Sequence, residues 1–216
     1  MHCAQARVIN RKKEIGSNMR IALINEVSSR EKNPFVLDAL LATGNEIFNV
    51  GCTAGEGGLT YIQTGLMAGI ALNSGAADFV VGGCGTGQGF LMSAMQYPGV
   101  FCGLIQDSLD AWLFSQINGG NCISLALNKG FGWAGDINLK YIFEKLFLDP
   151  PGRGYPLHRA ESQQASRNLL ARISTDVHRD FQEILRRVDR ATLEAVMNHK
   201  PFKEFIDSYG TTEFIY

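Results

Sequence analysis

Between Asp78 and Met95 the chain reads DFVVGGCGTGQGFLMSAM, and two side chains in this stretch, Cys84 and Thr86, are equipped for chemistry. The glycines at 83, 85, 87 and 89 leave the backbone free to adopt φ > 0 and to bring amide N–H groups close to a docked molecule. Together with the amino end of a following helix, such amides form a concavity suited to an anion such as a phosphate or an enediolate oxygen. A thiol at a helix N-terminus ionises more readily than the ~8.5 of a free cysteine, which makes Cys84 a candidate base or nucleophile with Thr86 beside it to hydrogen-bond a substrate oxygen. The same string is compatible with a glycine-rich turn around an inert buried thiol. It is no dinucleotide fingerprint, because Gln88 and Phe90 stand where the third glycine of G-x-G-x-x-G is needed.

Elimination narrows the partners of Cys84. The four histidines are His2, His158, His178 and His199, so Arg20 to Leu148 contains none. A Ser-His-Asp hydrolase within that stretch is excluded, and no H-E-x-x-H or two-histidine cluster exists, so no metal or cofactor is called for. A thiol hydrolase or transferase using Cys84 as nucleophile lacks the adjacent histidine that activates such a thiol. The remaining carboxylate at a strand end is Glu26, preceded by Asn25; its plain alternative is a solvated loop residue. One carboxylate and one thiol facing a nest of amides suit proton removal next to a carbonyl. The thiolate takes the carbon-bound proton, the amides and Thr86 hold the oxyanion, and the carboxyl group moves protons between oxygens.

These residues need strands to carry them. Arg20 to Ile24 is nearly all apolar, as in a strand covered on both faces, and it ends at Asn25 and Glu26, where α/β sheets keep their ligand sites. Asn33-Pro34 reads as N-cap and first position of a helix over Phe35 to Ala42, stopped by Gly44. A second strand covers Glu46 to Val50, and a glycine-rich loop covers Gly51 to Gly58. Thr60 then caps a helix to Asn73 that Gly75 closes. Phe79 to Gly82 is a third strand feeding the Cys84 loop, Val100 to Leu104 a fourth, and Cys122 to Ala126 a fifth. Helices are expected over Ser108 to Ile117 and Asp136 to Leu148. Alternating strands and helices with short, right-handed connections give a Rossmann-like α/β three-layer sandwich with a five-stranded parallel sheet.

From Glu161 the character changes to charged helices over Glu161 to Leu170, Thr175 to Arg187, Ala191 to Asn198 and Pro201 to Tyr209. Val177, Phe181, Ile184, Leu185 and Val188 recur at three- and four-residue steps, so this helical C-terminal extension has a face to bury, against a partner subunit or back across its own sheet. The expected organisation is a disordered N-terminal extension over 1–18, an α/β domain over 19–160 and the extension over 161–216. Hydrophobic residues at 45% and a net charge of −1 describe a globular protein without an electrostatic case for nucleic acid or a membrane surface. Five cysteines with no C-x-x-C spacing fit a reducing cytoplasm. The polar start of the chain is no secretory signal, and no apolar run is long enough to span a membrane.

The string Gly83-Cys84-Gly85-Thr86-Gly87-x-Gly89 between strand and helix resembles the signature loop of the ribose-5-phosphate isomerase B and galactose-6-phosphate isomerase family, and the similarity runs from about Arg20 to about Ser162. The resemblance implies a sugar-phosphate aldose–ketose isomerase. Cys84 would move the proton between C1 and C2, Thr86 would assist at the oxygens, and the amides around Gly85, Gly87 and Gly89 would steady the enediolate. Asn25, Tyr61, Asn118, Arg153 and Arg159 fall in substrate-binding regions. Arg153, in a Pro/Gly loop, is equally read as a solvated arginine. The family also implies a homodimer, or dimer of dimers, with a pocket built across two subunits. Two departures stand out. The family's Asp-His after the first strand is Glu26-Val27 here, and its His-Asn pair at the end of the fourth helix is Ile117-Asn118. Without the ring-opening histidine, either Glu26 has taken over that step or the substrate is modified or already acyclic; a non-catalytic sugar-phosphate binder is the alternative from another class.

Overall fold

The computed structural model describes residues 18–55, 57–212 and 214, so the extension expected over 1–18 lies, but for Asn18, outside the described residues. Five strands, β1 (Arg20–Asn25), β2 (Glu46–Asn49), β3 (Phe79–Cys84), β4 (Cys102–Ile105) and β5 (Cys122–Ala126), form one sheet in the order β2-β1-β3-β5-β4, every neighbouring pair parallel. Because side chains alternate along a strand, β1 and β3 supply two cores at once. Ala22, Ile24 and Val80 face one helical layer, and Ile21, Leu23 and Val81 face the other. The second layer is α1 (Asn33–Leu41), α4 (Ser108–Leu113) and α5 (Gly135–Leu146); the first contains α2 (Tyr61–Asn73) and α3 (Gln88–Ala94). This is the three-layer sandwich expected.

Local signals explain most boundaries. Thr60 precedes α2 and its backbone N–H donates to Gln63 Oε1 at 2.7 Å, satisfying a donor that the helix leaves orphaned. Asn33 was expected to cap α1, but Lys32 holds that place after a 3-10 turn over Val27–Lys32. The buried Asn33 amide instead exchanges hydrogen bonds with Asn49 of β2, at 3.0 and 2.8 Å. β3 runs two residues beyond the expected Gly82, since Gly83 and Cys84 find ladder partners in Leu125 and Ala126. The helix expected to reach Ile117 is α-helical only to Leu113 and continues as a π turn over Phe114–Asn118.

Beyond the sheet lie α6 (Ala160–Val177), α7 (Phe181–Arg187), α8 (Arg190–Met197) and α9 (Lys200–Tyr209). The single helix expected over Thr175 to Arg187 is two helices. The Asp180 side chain accepts the Gln182 N–H at 2.9 Å and starts α7 afresh, so Val177 falls off the buried stripe and is 71% exposed. Phe181, Leu185, Leu193, Val196, Phe202, Phe205 and Ile206 join the core behind α2 and α3. Phe48 of β2 packs against the Phe205 and Tyr209 rings, each at 4.6 Å. Of the two packings considered for the extension, α7 to α9 therefore adopt the second, back across the chain's own sheet. On α6, Leu169, Leu170, Ile173 and Val177 stay exposed. No helix among the described residues is long and apolar enough to cross a membrane.

Candidate active site

The carboxyl ends of β1, β3 and β5 converge, and the register fixes what meets there. Asn25 pairs with Gly83, and Cys84 with Ala126. Cys84 is the last residue of β3, buried at 6% exposure, and it stands three residues ahead of the α3 cap at Gly87. The expected placement of the thiol in the loop at a helix N-terminus is thus corrected: the sheet holds Cys84, and the loop begins after it. Gly87 has φ +75°, a left-handed conformation that favours glycine, and its carbonyl accepts the Ser124 hydroxyl at 2.6 Å. Thr86 is exposed, and its Oγ1 accepts the Gln88 N–H at 3.4 Å. Across the start of α3 lies Tyr61, half exposed. A Cβ on Gly89 would sit 2.8 Å from the Tyr61 ring, so only glycine lets that ring approach.

Glu26 is 7% exposed, and its backbone N–H donates to Gly83 O at 2.9 Å. Its Oε2 accepts the Ser28 N–H at 2.9 Å and the Ser28 hydroxyl at 2.5 Å. The Gly85 N–H donates to Ser28 Oγ at 3.0 Å, while Gly85 O accepts from the N–H groups of Asn128 and Lys129 at 3.0 and 2.9 Å. The expected nest of amides is therefore smaller than the glycine spacing suggested, because the Gly85 N–H is committed to Ser28. Asn25, expected to bind substrate, is completely buried, and neither Oδ1 nor Nδ2 has a hydrogen-bond partner among the described residues.

The other expected binding residues do not join this group within one chain. Asn118 ends the π turn beside the starts of β4 and β5, where the N–H groups of Asn121 and Cys122 both reach Phe101 O at 3.3 Å. That is the amino edge of the sheet, separated from Cys84 by the length of β5, about 13 Å at ~3.3 Å per residue. Arg153 and Arg159 lie beyond the same edge, where Gly152 and Gly154 bond back to Ser115 O and Gln116 O, each at 2.8 Å. Arg153 is exposed and paired with Asp149 at 3.1 Å, and Arg159 is exposed with Nε 3.4 Å from Ser162 Oγ. Arg167 of α6 was not anticipated. It donates to Ile117 O at 2.9 Å and Gly152 O at 2.6 Å, and burial pulls its guanidinium below the ordinary value.

The other described cysteines are poor candidates for reaction. Cys102 and Cys122 face each other across β4 and β5, and burial, then the neighbouring thiol, push Cys122 well above its ordinary value. Cys52 is buried and accepts the Leu59 N–H at 3.2 Å. Sequence reasoning missed Ser28 and Asn128, whose Nδ2 donates to Ser28 O at 2.8 Å. It also missed that His199 enters the fold at all. With Lys200 it lines an open cleft of about 400 Å³ against Gly57, Gly58 and Leu59, and Nε2 of His199 is buried without a partner among the described residues.

Comparison with known proteins places these observations. The profile of the ribose/galactose isomerase family matches residues 21–145. No curated protein matches the chain. A solved 4-deoxy-L-threo-5-hexosulose-uronate ketol-isomerase, complexed with a tartrate, is 43% identical, with 90% of this chain and 94% of that one covered at TM-score 0.87. A ribose-5-phosphate isomerase from Vibrio parahaemolyticus is 45% identical, with 91% and 95% covered at TM-score 0.88. The type B ribose 5-phosphate isomerase of Leishmania infantum, 18% identical, shares the fold at TM-score 0.63 over 74% of this chain and 99% of its own.

Proposed function

Because the chain belongs to the ribose/galactose isomerase family, and is an aldose–ketose isomerase on that ground, we propose that it interconverts an open-chain aldose and ketose through a cis-enediolate with Cys84 as the base. The observation that carries this reading is the company Cys84 keeps: Thr86 two residues on, Glu26 joined to Gly85 through Ser28, and no histidine at position 27 or 117. The thiolate takes the proton from the carbon next to the carbonyl. Thr86 and the first-turn amides of α3, at Gly87 and Gly89, hold the enediolate oxygens. Glu26 moves the proton between the two oxygens, and the proton returns from Cys84 to the neighbouring carbon.

An imidazole suits ring opening because it changes charge near neutrality. Valine and isoleucine cannot do this, which supports a substrate that arrives open. The similarity to a ketol-isomerase named for a hexosulose uronate points the same way. With C4 deoxygenated and C5 a ketone, such a sugar has no O4 or O5 hydroxyl to close an ordinary ring. The carboxylate of a sugar acid and the phosphate of a sugar phosphate are both anionic, and Arg153, Arg159 and Asn118 are the groups proposed to meet that end from a second copy of the chain. Their distance from Cys84 within one chain, and the apolar exposed face of α6, support a dimer.

The test is a substrate panel of a 4-deoxy-hexosulose uronate, erythrose 4-phosphate and ribose 5-phosphate, with deuterium wash-in at C1 or C2 followed in heavy water. The open-chain compounds should give the higher kcat/KM, and Cys84→Ser should lower turnover by a factor on the order of a hundred or more while leaving the fold intact. Efficient turnover of ribose 5-phosphate, or near-normal turnover by Cys84→Ser, would sink the proposal. Sedimentation that finds a fully active monomer would remove the two-subunit site.

A further inference from the structure

Position 27, where the family pattern has histidine, carries a side chain packed on the glycine-rich loop. A Cβ on Gly58 would lie 2.7 Å from Val27 Cγ2, so the Val27 side chain packs on the Gly57 to Leu59 loop. The next residue reaches the loop that follows Cys84. Ser28 is exposed, its hydroxyl donates to buried Glu26 Oε2 at 2.5 Å, and Ser28 Oγ in turn accepts the Gly85 N–H at 3.0 Å. One hydroxyl thus joins Glu26 to the loop after the thiol: Glu26, Ser28 and the peptide that follows Cys84 form an unbroken chain of hydrogen bonds. Asn128 fixes this joint from outside, donating from Nδ2 to Ser28 O at 2.8 Å and from its backbone N–H to Gly85 O at 3.0 Å.

The arrangement has a consequence for Glu26. Both Ser28 donors bond the same oxygen, Oε2, and Oε1 has no hydrogen-bond partner among the described residues while retaining some exposed surface. Ser28 therefore decides which oxygen of the carboxyl group is presented and how far it stands from the Cys84 loop.

We infer that Ser28 is a positioning residue for the isomerisation, holding Glu26 against the Cys84 to Thr86 loop so that its free oxygen serves the proton transfer between the substrate's two oxygens. The inference rests on the enediolate reading with Cys84 as base. That reading separates two steps. Cys84 exchanges the carbon-bound proton with solvent, while Glu26 completes conversion by moving the proton from one oxygen to the other. Loosening Ser28 misplaces Glu26 and leaves the thiol on its strand, so exchange without conversion should become more frequent.

The experiment measures solvent-deuterium exchange into the substrate and net isomerisation side by side, using the best substrate of the panel. Ser28→Ala is expected to lower net isomerisation on the order of ten- to a hundredfold with little change in KM, because misplacement of a positioned group weakens the step it serves. Exchange should fall less, so the ratio of exchange to conversion rises. Ser28→Thr keeps the hydroxyl and should restore the ratio. If Ser28→Ala melts far below wild type, Asn128→Ala, which frees the same joint from its other side, takes its place with the same expected ratio. Loss of exchange in Cys84→Ser together with a wild-type ratio in Ser28→Ala overturns the role of Ser28 alone. Exchange persisting in Cys84→Ser overturns the underlying base assignment instead.

Discussion

Asn25 offers a prediction whose size follows from the structure. Its side chain has no exposed surface, and neither amide atom has a hydrogen-bond partner among the described residues. A buried amide left without partners costs about 1–3 kcal/mol by protein mutational data. Leucine matches asparagine in branching at Cγ and places methyl groups where Oδ1 and Nδ2 stand. The methyls are bulkier than the oxygen and nitrogen they replace, and overpacking of a closed core position costs about 1 kcal/mol at the low end of its range. The balance favours Asn25→Leu by about 0–2 kcal/mol. In a domain of this size each kcal/mol moves the melting temperature by roughly 2–4 °C, so an increase of up to about 8 °C is expected. KM should remain at its wild-type value, because the side chain has no surface to offer a substrate. The assay is urea unfolding followed by circular dichroism at fixed protein concentration, with the midpoint compared at equal slope so that the shift reports stability rather than a changed denatured state. An Asn25→Leu midpoint below wild type by 1 kcal/mol or more would refute the reasoning, since it would mean that the amide is satisfied where it lies.

Two further outcomes follow from the packing. Phe202 of α9 is fully buried in the core shared with the sheet, so Phe202→Ala should destabilise the whole α/β unit by about 3–5 kcal/mol in a single unfolding transition; a separate early transition confined to the C-terminal helices would contradict a common core. Burial pushes the Tyr97 hydroxyl up to about 12 from 10.0. Between those values the unfolded chain releases the phenolic proton and the folded one keeps it, so the Tyr97 contribution is intact below pH 10 and is lost as the pH rises from 10 toward about 12. Tyr97→Phe should flatten that alkaline decline in the urea midpoint, and an unchanged slope would count against it.

Much of the positioning was legible along the chain. β-Branched and apolar runs bounded by glycine marked the strands, Thr60 and Gly75 marked the ends of α2, and the Cys84 string marked the site, because each signal depends on residues within a turn or strand of one another. The break between α6 and α7 was misread for a related reason: Val177 and Phe181 share a helical period that the Asp180 cap interrupts. The sequence by itself determined the residue types available, above all a thiol and a carboxylate at strand ends with no histidine at positions 27 and 117. Only the tertiary structure decided that Ser28 joins Glu26 to the Gly85 amide, that this amide is thereby committed, that Asn25 is sealed from solvent, and that Asn118, Arg153 and Arg159 lie at the far edge of the sheet. Hydrogen bonds such as Gly85 to Ser28 join residues 57 positions apart. Their existence depends on β1 and β3 being neighbours in register, which no local pattern of residues specifies.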